Sequence, residues 1–433
     1  MKKVLIISPY FPPSNAPDMQ RVRMSLPFFK DFGWDAEVVI VDQQFSDLKK
    51  DELLMQSLPA NLKIHKVGAL NKKITSKIGL GSLALRSMIH YKTYVNRLLK
   101  TTHFDLIYFS TTLFPLTILG SHWKRRFGIP FVIDMQDPWH SDYYKNKPAN
   151  ERPKKYWFSY RLNKYLEPIS MCKVDGLISV SENYITQLED RYPRINNIPS
   201  AIIPFGFFSK DMEIAQQGIK SQPLPFDDGY IHIAYVGVAG TIMKKAITIL
   251  FSALKALSIA NSDAFNKLRL HFIGTSYAPA GTGTLSVLPI ASKFGVDAVV
   301  SEQTDRVGFY DALKIITSSN ALLIIGTDSA DYTASKLYPY ILAEKPLLSI
   351  FHPESSAVKI LRDCLSGISA TLENDQLNKD KIYHFLEDAA MLKLVKPTIN
   401  WNKFNNYSAK EMTSKQCELF DKVISESNFE TVK

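Results

Sequence analysis

The sequence predicts an α/β protein made of two doubly wound parallel sheets. Short apolar runs such as VLIIS at 4–8, FVID at 131–134 and LLSI at 347–350 recur along the chain, as expected of strands covered on both faces. Helix-period segments separate them, the pattern of parallel strands joined by crossover helices. A stretch without a period, Phe205–Gly229, divides the series in two, and 433 residues fit two or three domains of roughly 100–200 residues each.

The first half reads as a strand at 4–8, a helix at 19–32, strands at 36–41 and 62–65, and a basic helix at 83–100. A strand at 105–109, a helix at 114–127 and a strand at 131–134 follow. Residues 135–153 look irregular and lead into a helix ending near 171, a strand at 176–180, a helix at 181–192 with Ser181 as N-cap, and a strand at 201–204. The second half gives strands at 231–236, 268–273, 298–300, 321–325 and 347–350, with helices at 245–259, 285–294, 308–317 and 334–343. An amphipathic helix at 400–427 closes the chain. The expected domains are therefore 1–205 and 230–399, with a linker at 206–229 and a terminal segment at 400–433.

Apolar content of 45% and charged content of 22% are those of a globular chain. No apolar run approaches the roughly 18 residues of a membrane span. The opening MKKVLIISPYFPP reads as a first strand, since its apolar run is short and Pro12-Pro13 stand where a leader would carry a cleavage site. Three widely spaced cysteines, Cys172, Cys364 and Cys417, give neither a disulfide framework nor a metal spacing, and suit a reducing cytosol. The net charge of +10 sits in the first half: residues 1–205 hold 29 Lys and Arg against 18 Asp and Glu, and 61–100 holds nine against none. Such a cluster attracts nucleic acid, anionic lipid or phosphorylated ligands alike. The helix at 83–100 either lies on lipid or packs one face on the sheet with its Lys and Arg in water.

In open α/β sheets ligands sit beyond the strand ends, so the strand-to-helix loops are the places to search. The loop SPYFPPSNAPDMQR is stiffened by Pro12 and Pro13 and leads to Arg21, which makes it either an acceptor-contacting wall or a rigid turn. DMQDPWH after the strand at 131–134 brings Asp134, Asp137, Trp139 and His140 together, a set suited to acid–base chemistry and sugar stacking. YVGVAGTIMKK offers Gly237 and Gly240 for close backbone approach, with Lys244 and Lys245 at the next helix start. FIGTS adds Gly274 and Thr275. In DYTASKLYPYILAEKPLLSI, Thr333, Ser335 and Lys336 fall in a first helical turn, where free N–H groups and the helix dipole favour an anion by about 0.3–1 kcal/mol. An ordinary αβ turn with a solvated lysine is the other reading. Neither GxGxxG nor GxxxxGK[ST] occurs at these loops, so a dinucleotide dehydrogenase or P-loop NTPase is not supported.

Taken in order, YFPP with a downstream Arg, DMQDPW, VDGLISVSE, YVG, HFIG and SKLYPYILAEKPLL resemble the retaining glycosyltransferases of family four, and the resemblance runs over nearly the whole chain. It implies the GT-B fold: two Rossmann-like domains, an interdomain cleft and a C-terminal crossover helix packing back on the first domain. It also implies a nucleotide-sugar donor of UDP or GDP type held by the second domain, no metal and no other cofactor. The acceptor, lipid-linked or a polysaccharide, falls to the first domain, with Asp137 and Asp134 as catalytic carboxylates and Pro13, Ser14, Arg21, Trp139 and His140 around it. By that likeness Gly274, Thr275 and Arg306 lie near the nucleoside, while Gly240, Lys244, Lys245, Ser335 and Lys336 hold the diphosphate and Asp331 meets the sugar. The implied setting is the cytoplasmic face of a membrane, reached through the basic first half, with no nucleic-acid partner. The sequence departs from the family pattern at Pro339, in the place of a second acid, at Val238, in the place of an arginine, and at Glu344, in the place of a glycine. A glycan-assembly protein without turnover, or a nucleotide-sugar epimerase, stays open beside the transferase.

Overall fold

In the computed structural model every residue is described except Tyr143, Asn146, Asn150, Glu151, Pro153, Lys154, 219–227, Asp331, Thr333, Leu365, Ser366, Val432 and Lys433. The chain divides into two compact units, Met1–Gly206 with Ala409–Lys433, and Phe207–Ser408.

The first unit holds seven parallel strands: β1 (Lys2–Ile7), β2 (Trp34–Val41), β3 (Lys63–Val67), β4 (Leu106–Ser110), β5 (Phe131–Met135), β6 (Gly176–Ser179) and β7 (Ser200–Ile202), in the order β3-β2-β1-β4-β5-β6-β7. The second holds six: β8 (Ile231–Val236), β9 (Leu268–Ile273), β10 (Val300–Gln303), β11 (Ala321–Ile325), β12 (Leu347–Phe351) and β13 (Ile368–Thr371), in the order β10-β9-β8-β11-β12-β13. Both are doubly wound sheets. The strand order reverses beside β1 and β4 in one and beside β8 and β11 in the other, and ligands of such sheets sit at that reversal.

Several elements differ from the sequence reading for local reasons. The helix expected over 19–32 stops at Ser25 and resumes as a 3-10 turn at Phe29–Phe32, because Pro27 between them has no N–H to donate. The helix expected from 285 starts at Leu288; the N–H groups of Ser286, Val287 and Leu288 all donate to the Glu302 carboxylate at 2.8–3.1 Å. Within the stretch read as linker, Ser209–Gly218 is a helix and its Asp211 accepts from Tyr310 Oη at 3.0 Å; residues 219–227 lie outside the described residues. The helix at 376–390 was missed although Ile382, Phe385, Leu386 and Ala389 repeat at helical spacing behind the N-cap Asp375.

The last helix, Ala409–Thr431, belongs to the first unit. Its buried Phe420 lies edge-on to Trp34 at 5.4 Å and against Tyr108 at 5.1 Å and Phe29 at 6.3 Å. Gly176 in β6 allows this approach: a Cβ there would stand 2.6 Å from Val423 Cγ2. Phe420→Ala is expected to cost about 3–5 kcal/mol, seen as a lower urea midpoint.

At the second sheet a hydrogen-bonded file runs Asp228–His232–His271–Ser301, with contacts of 2.9, 2.8 and 2.8 Å. Two imidazole nitrogens face each other, so one must donate and the other accept. Burial, then the charge tendencies of His232 and Arg269 against Asp228, push His271 down to about 4. A histidine lowered in the folded state binds fewer protons there than when unfolded. Its contribution to stability is therefore complete above about pH 6.5 and is lost as pH drops towards 4. His271→Gln is expected to remove that part of the acid sensitivity in urea titrations at pH 7.5 and pH 5.

Candidate active site

At the first reversal, Asp18 is buried and one of its carboxylate oxygens accepts from Thr111 Oγ1 at 3.0 Å, Thr112 N at 3.1 Å and Thr112 Oγ1 at 3.2 Å. Burial raises its pKa, although these bonds oppose the shift. Asp137 is exposed on one side, and the protein atoms on its other side strip it of water. That desolvation, and then the charge of Asp18, push its carboxyl up to about 6. Ser14 is buried with its hydroxyl unpartnered among the described residues, next to the cis Pro12–Pro13 bond.

Three other residues expected in this site are placed differently. Arg21 and Asp134 are both wholly buried and pair with each other, Nε to Oδ2 at 2.7 Å. Ser110 Oγ and Gln136 Nε2 also reach that oxygen at 2.9 and 2.8 Å, and Arg21 Nη2 donates to Ile203 O at 2.7 Å. The pair ties β5 to the first helix and to the chain after β7, and neither charge is offered to a ligand. Removing one partner of such a pair costs about 3–5 kcal/mol, which is the work of a structural element. Trp139 is also buried, stacked on Phe114 at 5.6 Å with its indole N–H on Asn163 Oδ1 at 3.1 Å, so it is core and not a sugar platform. His140 is half-buried against Tyr160 at 4.8 Å, its backbone N–H donates to Glu167 at 2.8 Å, and burial lowers its pKa. Glu167, which was not anticipated, is wholly buried and also accepts from Arg191 and Tyr192 at 3.1 and 2.9 Å. Asp18, Thr111 and Thr112 were also missed; their signal is a run of hydroxyls, STT at 110–112, ending a central strand.

In the second unit the loops after β8 and β9 are laced together: Gly237 N donates to Ile273 O at 2.7 Å, Ala239 N to Thr275 O at 3.2 Å, and Ser286 Oγ to Ala239 O at 2.6 Å. Gly274 adopts φ +75°, and a Cβ there would stand 3.6 Å from Arg306 Cα. Thr275 is buried and its hydroxyl is committed to Glu302 at 2.7 Å. Arg306 is exposed, with its guanidinium 5.5 Å from the Tyr277 ring. Gly240 has open space over its Cα. Lys244 and Lys245 are exposed in the first turn of the Lys244–Ala260 helix, whose N-cap Met243 supplies no side-chain bond.

Lys336 is the centre of this unit's site. It is the N-cap of the short helix Leu337–Leu342, one step outside the first turn where the sequence put it, and Ser335 before it is exposed. The half-buried side chain turns its ammonium onto Tyr235, 2.6 Å from the hydroxyl and 4.3 Å from the ring centroid. A Cβ on Gly237 would lie 2.6 Å from Nζ, and Gly237 also has φ +136°. Tyr235 Oη donates to Val238 O at 2.6 Å, and Tyr340 Oη accepts from Val236 N at 2.7 Å. Among the described residues no carboxylate pairs with Lys336, and burial lowers its pKa to about 7. Asp331 and Thr333, expected beside it, lie outside the described residues. Among the described residues no group of three or more His, Cys, Asp or Glu gathers as a metal site.

The family model Glycosyltransferase Family 4 matches residues 37–207. The chain is similar in structure to a sucrose-phosphate synthase from Thermosynechococcus elongatus, with TM-score 0.55 and 10% identity over 98% of this chain and 97% of that one. It is also similar to an E. coli trehalose-6-phosphate protein bound with UDP-2-fluoro glucose, with TM-score 0.55 and 13% identity over 100% and 98%. A third is the lipopolysaccharide outer core galactosyltransferase WaaB, with TM-score 0.52 and 13% identity over 98% and 99%. No curated protein sequence matches. The chain has the two-domain GT-B fold of these glycosyltransferases, and its residues 37–207 are similar to family four.

One departure of this GT-B protein from the family pattern has a visible geometry. Glu344 takes the left-handed conformation, φ +53°, that a glycine adopts freely, and its carboxylate pairs with Lys396 at 2.6 Å. Asp137 generates a testable outcome. Its folded-state pKa lies above the ordinary 3.8, so ionisation is disfavoured in the folded protein, and stability falls as pH rises through 6. Asp137→Asn is expected to raise the melting temperature at pH 7.5 and to leave it unchanged at pH 4.

Proposed function

We propose that this protein is a retaining glycosyltransferase that moves a sugar from a UDP- or GDP-type donor to a lipid-linked or polysaccharide acceptor at a membrane surface. The observation that carries the reading is the Lys336 ammonium, held at the β8 strand end against Gly237 and Tyr235 without a carboxylate partner among the described residues. As the bond from the anomeric carbon to the diphosphate breaks, its electron pair goes to the diphosphate oxygen. A fixed cation at that oxygen stabilises the change more than it stabilises the bound donor. Lys244, Lys245 and the backbone at Gly240 supply further positive ends to the diphosphate, and Arg306 with Gly274 suits the nucleoside. On the acceptor side Asp137, ionised above about pH 6, accepts from the attacking hydroxyl and orients it.

Pro339 in the place of a second acid favours one other reading, a donor-binding assembly protein without turnover. Nucleoside diphosphate release with acceptor separates the two.

Saturating UDP-sugar or GDP-sugar, at a hundred times its Kd, adds about 2.7 kcal/mol to stability, so a thermal-shift series identifies the nucleotide. Lys336→Met is expected to abolish that shift and to lower turnover about 10²–10³-fold. Because the free-protein ammonium titrates near 7 and a bound anion raises that value, donor affinity falls as pH rises above 7. A donor shift or turnover indifferent to Lys336→Met overturns the assignment.

A further inference from the structure

The Leu83–Thr101, Ile118–Phe127 and Tyr156–Met171 helices cover one face of the first sheet. Leu83, Tyr91, Leu119, Trp123 and Met171 from all three share a single core. Thr117 Oγ1 meets Ser170 Oγ at 2.8 Å and Ser121 Oγ donates to Ile169 O at 2.7 Å, which fixes the second helix on the third. A Cβ on Gly79, just after the short helices at 72–78, would stand 3.6 Å from the Phe158 ring, so this turn lies beside the third helix. Together these helical segments carry twelve Lys and Arg and a single acid, Glu167, which is wholly buried.

Part of this charge is neutralised locally: Lys72 pairs with Asp47 and Lys124 with Asp175. Lys92, Arg125, Arg126, Arg161 and Lys164 have no ion pair among the described residues and are exposed. Burial, and then Lys92, Arg126 and Arg125, lower the pKa of His122, so three of these charges act on one imidazole. The outermost helix also exposes large side chains in a row. Trp157 is 64% exposed, Tyr165 73% and Ile169 45%, each four residues from the next with Arg161 filling the gap, so they share one face. A tryptophan, a tyrosine and an isoleucine in water are unfavourable alone; interleaved with cations they match the boundary between lipid headgroups and acyl chains.

We propose that this helical layer is the docking face for an anionic lipid bilayer, with Trp157, Tyr165 and Ile169 entering the headgroup zone and Lys92, Arg125 and Arg126 lying on lipid phosphates. A single apolar or charged contact would bind weakly; the two kinds on one face add. The sequence reading expected the membrane to be met through the basic first half and left the 83–100 helix open between lipid and the sheet. Its own large exposed apolar residue is Ile89, and its Leu83, Tyr91 and Val95 point into the core. The inference deepens the membrane part of the proposed function and is independent of the transfer chemistry, since vesicle binding and donor thermal shifts fail separately.

The test is co-sedimentation of the full chain with phosphatidylcholine vesicles, with and without phosphatidylglycerol, in low and high salt. Binding to the anionic vesicles alone, weakened by salt, is expected. Arg125→Ala and Arg126→Ala each lower the partition coefficient about fivefold. Trp157→Ala with Tyr165→Ala lowers it further even in low salt, and Trp157→Phe removes the blue shift of tryptophan fluorescence on binding. All four positions are exposed, so urea midpoints stay at the parent value and loss of binding is not loss of fold. Equal binding to both vesicle types, no binding to either, or indifference to the aromatic pair overturns the proposal. So does retention on heparin that the aromatic variants share while vesicles are ignored, since the face then serves a soluble polyanion.

Discussion

Parallel strands impose one constraint on everything chemical in this chain. Each strand must be returned by a crossover to the same starting edge, so every strand-to-helix loop emerges at the opposite edge. Reversal of the strand order beside β1 and β8 then leaves a notch, because the neighbouring loops depart to opposite faces. Asp18 with Thr111 and Thr112 lies at the first notch, and Lys336 with Tyr235 and Gly237 at the second. The side chains come from positions about 93 and 101 residues apart in sequence, and only the sheet order makes them neighbours.

The sheets were legible because their strands are buried on both faces, which leaves an unbroken apolar run in the sequence; VLIIS, FVID, HFI and LLSI need no partner to be recognised. Ile368–Thr371 escaped because an edge strand reading ISAT has exposed and half-buried positions and no such run. Loops rich in glycine and lysine also announced themselves. What sequence could not supply was the direction in which a charged side chain turns. Arg21 and Asp134 have the residue types of a reactive site, and a contact across 113 positions converts them into a buried strut. Trp139 follows a proline in a loop, yet it drops into the core against Phe114. Lys336 was expected to point out of a helix start, and its own backbone position as N-cap turns it back over Tyr235.

Asp137 and Lys336 are tuned in opposite senses. Desolvation raises Asp137 and lowers Lys336; in each case the protein has made the charged form harder to keep. Groups of this kind are stabilised by what binds them, and sites are where such unfavourable environments are tolerated. The exposed basic charge, by contrast, is spread over a helical layer and costs little, because water solvates it until a surface of opposite sign arrives.

The first unit is assembled from both ends of the chain. Phe29, Trp34 and Tyr108 are synthesised early, while Phe420, which covers them, comes from the final helix. Phe207–Ser408 has all its strands before that helix exists. On the ribosome the later unit can therefore close first, while an aromatic patch on the earlier one stays bare until that helix emerges. A nascent chain of this design carries that uncovered aromatic surface through the synthesis of a whole second unit.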